Sequence, residues 1–297
     1  MALNIRKPGP ALRERTTLCL GGSTLGEVIL RADADLDHLF PLLLTEGGRP
    51  FILGAGSNIL ALDGDLDLVL LKVENQREPV AEAKTDHVLV RVGGGVKLPH
   101  LMGWAARSGL SGLENLTGIP GSVGGAVAMN AGSYGTDMAA VLHRVRLWTP
   151  ENGLNWVSAT DCCFAYRRFS PDKACAPGGR FLVWEAEFTL QASQSDKVLA
   201  AMRYTMARKK ATQPVTAKSA GCVFKNPEGE SAGKLLDRAG LRGKRIGDMA
   251  FSDLHANFLV NLGKGRSADA LELLDMGRSL VQERFGIRLE TEVLVLS

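Results

Sequence analysis

No cysteine of this chain stands in a C-x-x-C pair, and the five present, Cys19, Cys162, Cys163, Cys175 and Cys222, are odd in number. That pattern excludes a regular disulfide framework and the usual zinc spacings. It fits reduced thiols in a cytosolic setting. No apolar run reaches the roughly 20 residues that a membrane-spanning helix needs. The opening stretch, "MALNIRKPGPALRERTT", lacks the apolar core of a signal peptide. The expectation is a cytoplasmic protein without a membrane partner or a metal. Charge of one sign is not in excess either: the formal net charge is +3 over 297 residues, and its scatter excludes the basic footprint of a nucleic-acid binder. The one basic run, "RKK" at 208–210, reads alone as a solvated helix end.

Glycine, in contrast, is abundant, with 34 residues in clusters of no fixed period. Collagen and simple repeats are therefore out. Such clusters mark tight turns or places where backbone must approach a ligand closely. Periodicity and punctuation suggest a small opening α/β lobe, residues 1–75, with a helix over 35–46 followed by strands at "RPFIL" and "LDLVLLKV". A second lobe, 76–205, holds the strand "HVLVRV", a helix with Pro99 in its first turn, a long glycine-rich loop over 112–135, and the strands "AVLHRVRLW", "CCFAYRRF" and "RFLVWEAEFTL". A helix over about 196–210 closes it. The third stretch, 206–297, contains the helix "SAGKLLDRAG", the strand "ANFLVNL", a long helix from Ser267, taken as its N-cap, to Gly286, and a last strand "IRLETEVLVL".

Two segments carry chemistry. "GAGSNIL" (54–60) follows a strand, but Ile59 occupies the third glycine position of a dinucleotide fingerprint and another strand comes next, so that fingerprint fails. A Walker A loop is absent as well. The residues leave two readings open, a plain hairpin or a nest of backbone N–H groups around a pyrophosphate. "TGIPGSVGGAVAMNAGSYG" (117–135) holds six glycines among small residues, more than a turn needs, while Val123, Val127 and Met129 argue for an ordered segment. Backbone lying flat against a large ligand has this composition.

With "GCVFKNP", "HANFLVN" and "LETEV" following in order, the chain from about Arg15 to its end resembles the UDP-N-acetylenolpyruvoylglucosamine reductases, bacterial flavoenzymes of cell-wall precursor synthesis. The resemblance implies an α+β chain: a two-lobed FAD-binding fold of the vanillyl-alcohol-oxidase type, plus a C-terminal α/β substrate domain. It implies FAD, NADPH and a UDP-sugar as small-molecule partners, the last two using one site in turn. Flavin contacts fall on Gly54, Ala55, Gly56, Ser57 and Asn58, and on Gly118, Ile119, Pro120, Gly121, Ser122, Gly124, Gly125, Asn130 and Gly132. Cys222 takes the position of the proton donor, usually serine. Unperturbed thiols titrate near about 8.5, so such a group is mostly protonated at neutral pH yet gives up its proton readily. Arg167 takes the arginine that polarises the substrate carboxylate, with Arg168 as rival; on one strand the two point to opposite faces. Glu292 takes the glutamate beside it, with Glu290 two residues away on the same strand face. Lys210, twelve residues before Cys222, and Asn226 take the substrate-binding positions. The segment between Phe188 and Lys210 has no room for the tyrosine-bearing loop of longer members, so the chain resembles the short subtype. A monomer is expected. Two rivals stand beside this reading: a flavin oxidase of the same fold, and a nucleotide-sugar binding protein without catalysis.

Overall fold

A computed structural model describes residues 3–297. The chain divides into two compact units, one comprising residues up to Arg6, Glu27–Gly54 and Val69–Ala207, the other Lys7–Gly26, Ala55–Leu68 and Arg208–Ser297. Helix and strand are mixed in both, as the α+β class requires. No helix among the described residues is long and apolar enough to cross a membrane.

The first unit is built on an antiparallel sheet in which the strands run Gly153–Ser158, Leu142–Thr149, Leu182–Ala192, Val88–Gly93 and Val80–Ala83, with Leu110–Ser111 pairing the far end of Leu182–Ala192. Leu182–Ala192 is central and buried over most of its length. Its two faces differ in chemistry. Ala186, Phe188 and Leu190 pack into the larger core with Leu101 and Met102 of the helix Leu98–Arg107. Trp184 and Leu182 pack into a smaller core with Val28, Leu36 and Leu71. Glu185 and Glu187 carry charge into the sheet opposite cross-strand arginines. Glu187 is held bidentately by Arg144 at 2.7 and 3.0 Å. Glu185, fully buried, accepts from Arg77 at 2.7 Å and Arg146 at 2.9 Å.

A register shift between Arg146 and Leu147 decides which side chains face where. Arg146 stands opposite Glu185 but Leu147 stands opposite Val183, so Trp184 is the extra residue. Alternation would otherwise give Val183 the same face as Glu185. The bulge re-aims it into the larger core.

In the second unit the sheet order is Ser219–Cys222, Phe258–Asn261, Met249–Phe251, Arg245–Ile246. The helices Ala232–Arg238 and Ser267–Phe285 contribute Leu235, Leu236, Leu273, Leu274 and Val281 to a core shared with Phe224 and Leu289. Leu294–Leu296 pairs in parallel with Ile59–Ala61.

Three sequence expectations need correction. Residues 112–135 are not a continuous loop: Val123–Ala128 is a short helix, started by Ser122, whose Oγ accepts the Gly125 N–H at 3.3 Å. Ser267 is not an N-cap but the first helical residue; its N–H and hydroxyl both bond Asp63 Oδ2, at 2.8 and 3.0 Å. The last strand is shorter than "IRLETEVLVL": only Leu294–Leu296 is regular strand, and Thr291 makes an isolated bridge to Phe224.

Removing the Glu185 carboxylate leaves Arg77 and Arg146 facing each other across a buried position. Because the arginines are partly exposed, the loss is smaller than for a fully buried pair: Glu185→Ala is expected to lower unfolding stability by about 2–3 kcal/mol, read from urea denaturation.

Candidate functional site

Within the first unit, the wall of a cavity of about 190 Å³ is formed by the apolar side chains of Ile52, Leu53, Val73, Phe181 and Val183 and by the small residues Gly54, Gly94, Ser122, Gly124, Gly125 and Ala128. Four residues expected to contact a flavin, Gly54, Ser122, Gly124 and Gly125, thus come together although 68 positions separate the first two. The strand Arg49–Leu53 delivers Gly54 to this wall. The Ser122 cap and the Gly124 N–H bond to the Gly94 carbonyl, 2.8 Å, hold the helix start beside it. The volume lies below the about 300–1,000 Å³ of a typical ligand pocket, so it suits one ring system of a dinucleotide.

In the sequence Gly94 stands within "GGG" at 93–95, directly after the strand "HVLVRV". Its absent side chain has a reason: a Cβ there would lie 2.5 Å from the Val183 carbonyl oxygen and 3.0 Å from that of Trp184. Both are backbone atoms of the central strand and cannot move away cheaply.

The remaining positions of the glycine-rich segment show other uses. Gly118 and Gly121 adopt left-handed φ of 85° and 134°. Gly132 lies where a Cβ would meet Asp137 and the Thr136 carbonyl. Asn130 is buried and its amide is engaged by protein: Nδ2 donates to Asp137 Oδ2 and to the Ala165 carbonyl, each at 3.1 Å, and Oδ1 accepts from Ala139 at 3.0 Å.

Ala165 ends one strand of the hairpin Cys162–Ala165 / Arg168–Pro171. Tyr166 and Arg167 form its two-residue turn, so the opposite-face argument between Arg167 and Arg168 does not apply. Arg167 has φ 58°, a conformation that costs a side-chain-bearing residue about 1–2 kcal/mol. Its guanidinium sits over the Tyr166 ring, 4.8 Å from the centroid. Arg168 pairs with Ala165 and is exposed.

In the second unit, Ala55, Gly56, Ser57 and Asn58 continue the first glycine loop. The Gly56 carbonyl accepts the Thr17 N–H at 3.1 Å, and a Cβ on Gly56 would collide with the Arg15 carbonyl. Asn58 Nδ2 donates to the Glu292 carbonyl at 3.1 Å, while its own carbonyl accepts from Leu294 at 3.0 Å. Cys222 ends the strand Ser219–Cys222 and stands opposite Phe258. The next residue links it to Glu292: the Val223 carbonyl accepts the Glu292 N–H at 2.8 Å. Cys222 and Glu292, 70 positions apart, are thus neighbours across one backbone bond. Glu290 is exposed and pairs with Lys225 at 3.2 Å. Asn226 Oδ1 accepts the Ala232 N–H at 3.0 Å, at the start of the helix Ala232–Arg238. Lys210 is exposed on the helix Ser195–Thr212, whereas its neighbour Lys209 is buried.

Over residues 213–296 the chain matches the model for the C-terminal domain of UDP-N-acetylenolpyruvoylglucosamine reductase, and over 28–157 that for an FAD binding domain. The UDP-N-acetylenolpyruvoylglucosamine reductase of Nitratidesulfovibrio vulgaris is 51% identical over 291 residues, 97% of each chain. This chain belongs to that reductase family. UDP-N-acetylenolpyruvoylglucosamine reductase 2 of Symbiobacterium thermophilum is 38% identical, over 98% of this chain and 92% of that one. The solved structure of the Thermus caldophilus reductase superposes with a TM-score of 0.81 at 35% identity, covering 99% of this chain and all of the other. The α+β flavoenzyme expected from the motifs is borne out, and with it FAD and NADPH. The lining fits a flavin ring: it combines apolar side chains with glycines that let backbone come close to a ligand.

Gly94→Ala is expected to lower stability by about 1–3 kcal/mol, and purified protein is expected to retain less flavin per chain than the parent, measured by absorbance after gel filtration. His255 offers a second check. Burial first, and then the Arg242 guanidinium, hold its imidazole below the ordinary value. Its Nδ1 accepts the Asn257 N–H at 3.2 Å, which requires that nitrogen to be unprotonated. The unfolded ring titrates near about 6.5, so the stability this site contributes is complete above that pH and is lost as pH falls through it toward the lower folded value. Denaturation midpoints should decline on acidification, and His255→Asn, which keeps an acceptor, should remove part of the decline.

Proposed function

We propose that the chain reduces the enolpyruvyl group of UDP-N-acetylglucosamine-enolpyruvate to give UDP-N-acetylmuramate, a peptidoglycan precursor, with Cys222 as the proton donor. Gly54, Ser122, Gly124 and Gly125 would hold the flavin, which would supply hydride chemistry between NADPH and the enolpyruvyl double bond. Hydride arriving at the terminal carbon leaves negative charge on its neighbour, delocalised into the carboxylate. That state needs electrostatic stabilisation and then a proton. Cys222 holds the proton on Sγ and delivers it to the carbon, becoming thiolate. Glu292, as the carboxylic acid, donates a hydrogen bond to the carboxylate as charge develops there. Arg167 places its guanidinium on the same carboxylate; the strained turn that carries it is the kind of outlier that functional sites retain. Lys210 and Asn226 contact the diphosphate and the nucleotide-sugar.

The single observation that supports this reading most is the Val223 carbonyl bond, which ties the residue after Cys222 to the Glu292 backbone. The reading has 1–75 and 76–205 as flavin-binding lobes and 206–297 as the substrate domain. It has the chain act as a cytoplasmic monomer with its cysteines kept as thiols. The UDP-sugar and NADPH occupy one site in turn.

Replacing Cys222 by serine and by alanine tests the donor. Serine retains an exchangeable proton and is expected to keep turnover within about tenfold of the parent, whereas alanine should lose about 10²–10⁴-fold, the usual contribution of a positioned acid. Flavin content should be unchanged in both. Equal turnover in all three proteins sinks the assignment.

A further inference from the structure

The motif "HANFLVN" finds no use in the reaction as described, yet its asparagine is buried against the segment that carries the proton donor. Asn257 is 2% exposed. Its backbone carbonyl accepts the Val223 N–H at 2.9 Å. Its side chain then continues the ladder: Oδ1 accepts the Phe224 N–H at 3.0 Å and Nδ2 donates to the Phe224 carbonyl at 2.8 Å. A primary amide has the donor and acceptor of a peptide group in the right order, so this side chain substitutes for one further residue of the strand Phe258–Asn261. The opposite edge of the same segment is held by residues 290–292. Glu292 donates to the Val223 carbonyl at 2.8 Å, Lys225 donates to the Glu290 carbonyl at 2.9 Å, and Phe224 bridges Thr291.

We propose that Asn257 is a positioning residue of the reductase. It grips the Val223–Phe224 backbone, and through it fixes Cys222 on one side and Glu292 on the other. Phe224 is fully buried, so water cannot replace the lost partners when the amide is removed. An aliphatic side chain at 257 leaves a buried N–H and C=O unpaired. The segment then relaxes, and a displacement of about 1 Å at the donor is enough to slow proton delivery about 10²-fold. The flavin's reduction by NADPH needs neither Cys222 nor Glu292 and is not affected. The assignment rests on the proton-donor reading of Cys222.

The test uses the flavin-loaded protein and two variants, Asn257→Ala and the milder Asn257→Ser, with stopped-flow spectroscopy of each half-reaction. Reduction of the flavin by NADPH should change less than about twofold. Its reoxidation by the enolpyruvyl UDP-sugar should slow about 10–100-fold in the alanine variant, with the serine variant between. In a Cys222→Ala background the same substitution should cost less than it does in the parent, because the proton-delivery part of its effect is already lost and only the part through Glu292 remains. Hydrogen exchange of peptides covering 222–226 and 290–293 should speed up in both Asn257 variants. Equal losses in the two half-reactions, or an undiminished loss in the Cys222→Ala background, would mean that Asn257 serves only the fold and would overturn the proposal. Unchanged exchange would overturn it as well. If Cys222→Ala alone leaves reoxidation at the parental rate, the donor reading fails on its own account. The exchange data then still decide whether Asn257 holds the segment.

Discussion

One backbone hydrogen bond organises the second unit: the N–H of Glu292 to the carbonyl of Val223. Cys222 and Glu292, 70 residues apart in sequence, have no local reason for their backbones to meet. They meet because Val223–Lys225 is a short extended segment paired on both edges, by Glu290–Glu292 on one side and by Asn257 on the other. Regular strand pairing ends at Cys222 and Phe258; beyond that point a side-chain amide and an isolated bridge take over. The buried Phe224 ring, packed with Leu235 and Leu273, anchors the segment from beneath. Asn58 adds a further tie, from the first glycine loop to the Glu292 carbonyl. A position assigned to the flavin by resemblance thus also ties down the Glu292 backbone.

The first unit solves a different problem, that of bringing backbone to a flat ligand. The central strand Leu182–Ala192 is buried on both faces, and its buried polar side chains find partners inside except Glu185 Oε2, which accepts no hydrogen bond. Glu185 and Glu187 are met by arginines from the neighbouring strands. Trp184 donates its indole N–H to Asp33 at 2.7 Å. Partial burial pushes the Asp33 carboxyl up, but that bond and Arg146 outweigh it and hold the group below the usual range. The extra residue at Trp184 lets one strand serve both tasks, charge on one side and the cavity wall of Val183 on the other.

Much of this was legible in the sequence. Glycine clusters flanking strands announced close backbone approach, and Gly54, Ser122, Gly124 and Gly125 do line one cavity. What escaped had no local signal. Val183 owes its direction to a bulge that only strand pairing reveals. Ser267 has the composition of an N-cap, yet its hydroxyl is claimed by Asp63, 204 positions away. "YRRF" reads as continuous strand because tyrosine and arginine favour strands and rarely take a left-handed turn; the hairpin imposes the turn regardless. Gly94 carried a weak signal, three glycines after a strand, which a search for close backbone approach would have caught.

Reductase chemistry differs from oxidase chemistry in where the electrons leave. Under anaerobic conditions the yellow flavin spectrum of the purified protein should bleach on addition of NADPH and return in full on addition of the enolpyruvyl UDP-sugar, with one sugar reduced per flavin reoxidised. A spectrum that stays bleached until oxygen is admitted would contradict it.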